Sequence, residues 1–146
     1  MSVVSTSAGE LRPAPRRFCS ACGSLLTQRG TGTLRISAHG VSWGTVRVGQ
    51  ILIRDRSLNG VRNWSVKGAE RRRHYRDGRW WFRGRNMTLY VSTRYSITLK
   101  GRGLSTSTVA VGSGYIDARR SGGSYHLNGG PGRRWPLAGR RLRLQR

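Results

Sequence analysis

From Thr33 to the C-terminus, short runs of alternating apolar and polar residues are broken every few positions by glycine. Side chains on a strand point to opposite faces with period two, whereas an amphipathic helix needs apolar spacings of three and four over at least ~10 residues. Leu34, Ile36 and Ala38 alternate with Thr33, Arg35 and Ser37; Met87, Leu89 and Val91 alternate with Thr88, Tyr90 and Ser92. Val46 and Val48, Ile97 and Leu99, and Leu142 and Leu144 continue the rule. No segment offers a helical stripe without glycine interrupting it, so the pattern predicts an all-β fold whose strands each have one apolar and one wet, basic face.

Turn chemistry divides these runs. Gly40, Gly49, Asn59-Gly60, Asp77-Gly78, Gly101, Gly112-Ser113-Gly114, Gly122-Gly123 and Asn128-Gly129-Gly130 fall between them. Asn-Gly and Asp-Gly tolerate the positive φ of tight hairpins, and Asp77-Gly78 is the clearest. The expectation is one small domain of about eight to ten short strands, in a sandwich or barrel. One feature points to a short β-solenoid instead. Gly84-Arg85-Asn86-Met87-Thr88-Leu89 returns 17 residues later as Gly101-Arg102-Gly103-Leu104-Ser105-Thr106, with Gly30-Thr31-Gly32-Thr33-Leu34 as a looser copy. The chain divides into a Ser/Thr/Ala/Pro arm ending in Arg16-Arg17 (residues 1–17, expected disordered), a cysteine unit (18–29) and the Gly/Arg-rich β domain (30–146).

Charge narrows the function. The 146 residues hold 28 Lys+Arg against 5 Asp+Glu, a net charge of +23, and only Lys67 and Lys100 are lysine. A chain so self-repulsive is neutralised by a polyanion. Residues 71–85 combine seven arginines with Tyr75, Trp80, Trp81 and Phe82 on the expected hairpin. Alternation puts Trp80 and Phe82 on the core face and Trp81 with Arg83 on the other. Arginine neutralises phosphate and stacks on bases, and aromatic rings form platforms for unpaired bases. The predicted nucleic-acid-binding residues are Arg71, Arg72, Arg73, Arg76, Arg79, Trp81, Arg83 and Arg85, with Arg133, Arg134, Arg140, Arg141 and Arg143 near the C-terminus. RNA, ribosome-associated or otherwise structured, is expected over duplex DNA, because basic aromatic sheets suit irregular RNA. The alternatives are a β-scaffold that self-assembles, as a homodimer or larger array, and a binder of an acidic polysaccharide.

Phe18-Cys19-Ser20-Ala21-Cys22-Gly23-Ser24-Leu25-Leu26 resembles one knuckle of a zinc ribbon: an aromatic, Cys-x-x-Cys, then glycine. The resemblance covers nine residues and implies Zn²⁺ on Cys19 and Cys22. The second Cys-x-x-Cys of that family is missing, and a structural zinc needs four ligands. His39, His74, His126 or a second chain's cysteine pair would complete the site; a metal-free remnant and a redox pair are the other readings. Beyond the knuckle the sequence loosely resembles Gly/Arg-rich β-proteins of GC-rich bacteria, which implies no activity.

No phosphate-binding loop, nucleophile elbow or metalloprotease helix is present, and the five acidic residues are scattered, so no catalysis is expected. No stretch approaches the ~20 apolar residues of a membrane helix, and the start lacks a secretory pattern. The expected location is the cytoplasm, with reduced thiols.

Overall fold

The computed structural model describes residues 19–146. The expected arm, residues 1–17, lies outside the described residues, as does Phe18. The described chain is all-β: β1 (Gly23–Asp55), β2 (Trp64–His74), β3 (Trp80–Ala118), β4 (Ser124–Leu127), β5 (Arg133–Arg134) and β6 (Arg140–Leu144). They form one antiparallel sheet in the order β2-β3-β1-β4-β5, with β6 also on β3.

Two of these strands are far longer than the alternation suggests. β1 runs 33 residues and β3 runs 39. Their pairing explains why. Leu34 lies between Leu99 and Ile116, Leu99 between Leu34 and Ile51, and Ile51 between Leu99 and Phe82. The two neighbours of each residue are 17 positions apart on the partner strand. An antiparallel ribbon of β1 and β3 therefore coils, and each turn pairs with the next. The 17-residue echo in the sequence is the length of one turn.

Each turn carries the chain through two walls of the coil. The first wall contains runs 33–37, 50–54, 71–74, 80–83, 96–100, 113–117 and 140–144; the second contains 23–28, 41–46, 64–67, 87–91, 104–109, 124–127 and 133–134. The alternating apolar residues point inward from both walls and make one core. Leu34, Ile36, Ile51, Ile53, Ile97, Leu99 and Ile116 come from the first wall, and Leu25, Val46, Met87, Leu89, Val91 and Leu104 from the second.

The expected turn glycines fall into two groups. Asp77-Gly78 closes the β2–β3 hairpin, where Tyr75 N–H donates to Arg79 C=O at 2.8 Å and Gly78 N–H to Tyr75 C=O at 3.0 Å. Gly49 and Gly101 instead lie within continuous strands, at corners between the walls. Gly84, Gly49, Gly101 and Gly32 are successive cross-strand neighbours in one row. Gly101 has φ +145°, which turns its missing Cβ into the plane of the sheet, 2.7 Å from the Gly49 Cα. Only glycine lets adjacent turns close at this corner.

Both ends of the coil are plugged by aromatics. At the β2 end the Trp64 ring lies 5.2 Å from Trp80 and 5.4 Å from Phe82, with the Arg62 guanidinium 4.4 Å from the Trp64 ring. At the other end Trp135 is buried, and its Nε1–H donates to Ser124 C=O at 3.2 Å.

The core also contains a satisfied hydroxyl network. Ser42 Oγ lies 2.6 Å from the Tyr95 hydroxyl and 2.7 Å from Thr108 Oγ1. Burial pushes the Tyr95 phenol up to about 12, against an ordinary 10.0. The folded state holds this proton more tightly than the unfolded chain. The stabilisation is therefore complete below pH 10 and lost as pH rises towards 12. A spectrophotometric titration should show a phenol ionising near pH 12 that Tyr95→Phe removes; an unchanged titration would contradict the burial.

Candidate nucleic-acid interface

The outward residues of the first wall form cross-strand rows, because directly opposed residues in antiparallel strands share a face. One row reads Arg73, Trp81, Leu52, Thr98, Arg35, Tyr115 and Arg141; its neighbour reads Arg71, Arg83, Gln50, Lys100, Thr33 and Asp117. Arg54, Ser96, Ser37, Ser113 and Arg143 form a third. At ~4.8 Å per strand, the seven-run wall is about 29 Å wide. Eight basic side chains share it with Trp81, Tyr115 and one acid, Asp117.

The aromatic platforms are held in place. Trp81 Nε1–H donates to Gln50 Oε1 at 3.2 Å, which fixes the half-exposed ring against its neighbouring strand. The Arg35 guanidinium lies 5.5 Å from the Tyr115 ring centre, a cation–π contact towards the β6 side of the wall. The only ion pairs among the described residues belong to Asp77, which meets Arg79 at 2.8 Å and Arg54 at 3.6 Å. The backbone N–H of Arg79, and then its guanidinium, hold the Asp77 carboxyl below its usual range.

The sequence-predicted residues are only partly gathered here. Arg71, Arg73, Trp81, Arg83, Arg141 and Arg143 share the wall, with the two arginine groups at opposite edges. Arg72 pairs with buried Phe82 and so faces the other way from Arg71 and Arg73. Arg79 is engaged by Asp77, and Arg76 lies exposed in the hairpin turn. Arg85 lies at the glycine corner, and Arg140 reaches the Tyr125 hydroxyl at 3.5 Å. Arg133 and Arg134 pair with Tyr125 and Ser124 on the edge of the second wall. Arg35, Arg54 and Lys100, which bridge the two edges, were not singled out from the sequence. Their signal was the alternation itself, which puts each on the polar face of its run.

The second wall presents a different outer surface. Leu26, Ser107, Trp43, Tyr90 and Ser65 form its central row, so the two faces differ sharply in charge.

Cys19 and Cys22 are joined as a disulfide, in contrast to the reduced thiols expected from the sequence. A turn in which Cys22 N–H donates to Cys19 C=O at 3.2 Å brings their Cα atoms to 5.3 Å, within disulfide reach. His39 borders the same groove, but no group of three His, Cys, Asp or Glu side chains converges among the described residues. A four-ligand zinc site on this pair would need a reduced state and ligands from a second chain. His74 stacks on Trp80 at 4.1 Å, and His126 Nδ1 lies 3.0 Å from Gly130 C=O.

No helix among the described residues is long and apolar enough to cross a membrane. Comparison with protein families, curated proteins and solved structures returned no match.

Proposed function

We propose that this protein binds RNA without catalysis, through the basic wall, taking phosphates on its arginines and unpaired bases on Trp81 and Tyr115. The observation that carries this reading is the interleaving of eight basic side chains with two half-exposed rings on one sheet face about 29 Å wide. A sheet face about 29 Å wide does not enter a duplex major groove about 12 Å wide as a helix or ribbon does, which favours single-stranded or looped RNA. Self-assembly through sheet edges is opposed by like charge, since β2, an edge strand among the described residues, carries Lys67, Arg71, Arg72 and Arg73 against the single acid Glu70.

Salt-dependent binding of single-stranded RNA tests the reading. Arg71→Ala with Arg73→Ala should flatten the slope of log affinity against log salt by about 1.4, at ~0.7 per phosphate contact. Arg72→Ala, on the opposite side, should leave the slope unchanged. Trp81→Ala should cost about 1–3 kcal/mol with little change in slope, as stacking does. Equal binding to heparin with no effect of Trp81→Ala would favour an acidic polysaccharide, and nuclease-resistant oligomers that bind no RNA would favour a scaffold.

A further inference from the structure

Away from the wall, the 17-residue coil gathers four arginines that are distant in sequence. Arg85 and Arg102 are one turn apart on β3 and flank Val48 on its two sides, which sets them about 10 Å apart. Arg47 and Arg29 complete the lining of a groove of about 820 Å³ at the glycine corner. No Asp or Glu lines it, and none of the four arginines makes an ion pair among the described residues. The remaining lining is rich in neutral hydrogen-bonding groups, Asn86 and Ser105 among them.

Backbone conformation supplies a second observation. Of the four non-glycine residues with positive φ among the described residues, two border this groove, Arg29 at 52° and Asn86 at 53°. The left-handed region suits glycine and tolerates asparagine, and the chain uses glycine for it nearby, at Gly103 with φ 65°. Arginine there is strained, and such strain concentrates at ligand sites. The bulge that holds it aims Arg29 at the corner, with its N–H donating to Ser105 Oγ at 3.1 Å.

We propose that this corner groove is a binding site for a polyphosphate chain, separate from the basic wall. Four guanidiniums with no acid among them exceed the charge of one orthophosphate and match a chain of three or more phosphates. The same chemistry is offered by inorganic tripolyphosphate and by a nucleoside triphosphate. Trp43 lies along the strand from Thr45 in the adjoining groove and would meet a base.

Isothermal titration calorimetry of the full chain, at about 0.15 M salt, tests the site with orthophosphate, tripolyphosphate and ATP. Tripolyphosphate should bind one per chain, at least about tenfold more tightly than orthophosphate. Arg47→Gln with Arg102→Gln should weaken it at least about tenfold, while Arg71→Gln with Arg73→Gln, on the wall, should change it less than about twofold. Circular dichroism checks that each variant folds. Arg29→Gly should lose affinity without lowering the melting temperature, because the strain leaves with the side chain. ATP binding that exceeds tripolyphosphate and falls in Trp43→Ala identifies the nucleotide as the source; equal binding identifies the inorganic chain. Absence of saturable binding, or equal losses in the wall and corner variants, would overturn the proposal.

Discussion

Gly101→Ala is expected to destabilise the fold by about 2–4 kcal/mol, a large part of the ~5–15 kcal/mol typical of a domain. The added methyl would sit 2.7 Å from the Gly49 Cα and closer still to the Val48 carbonyl oxygen. Both obstacles are backbone of the adjacent turn, so neither can swing aside as a side chain would. The positive φ adds strain of about 1–3 kcal/mol to the crowding. Gly60→Ala is the control. Its φ is +75°, but nothing lies within 4 Å of the new Cβ, so only the conformational cost of about 1 kcal/mol should appear. Urea unfolding of the two variants separates the effects. Equal losses would mean that the corner tolerates a side chain and that contact between turns does not require glycine.

Trp135→Ala should cost about 3–5 kcal/mol, as expected for deleting a buried tryptophan. The indole covers Gly30, where even a Cβ would collide with the ring. Its Nε1–H satisfies the Ser124 carbonyl, which the substitution would leave without that donor. Trp135→Phe keeps most of the apolar cover and should lose about 1 kcal/mol for the hydrogen bond. Because Trp135 lies at the β4–β5 end and not on the basic wall, neither substitution should change RNA affinity measured on folded protein. A stability loss under 1 kcal/mol for Trp135→Ala would show that the end of the coil does not depend on this plug.

Trp135 also shows where sequence reading stops. It is flanked by Arg133, Arg134 and Pro136 in a basic stretch, yet it is 3 % exposed. Trp81, half-exposed beside Arg83, is placed by the alternation of its run, whereas Trp135 stands outside any alternating run. The difference arises because one closes an open end of the core and the other stands on the outer face of a paired strand. Arg72 is a smaller case. It is chemically equal to Arg71 and Arg73, but strand alternation turns it to the other side.

What the sequence determined by itself was the all-β character and the inward face of each run. Leu34, Ile36, Met87, Leu89, Ile97, Leu99, Leu142 and Leu144 are all buried, as period two requires. That rule is local, since it follows from the geometry of one strand. It also separated Trp80 and Phe82 from Trp81 correctly. Only the tertiary structure decided that Gly49 and Gly101 are corners and not turns, and that Arg29, Arg47, Arg85 and Arg102 meet. The 17-residue echo contained that information, but a period gains meaning only when one turn pairs with the next. Register between distant segments is set by which apolar faces share a core, and by the glycines that let neighbouring backbones approach.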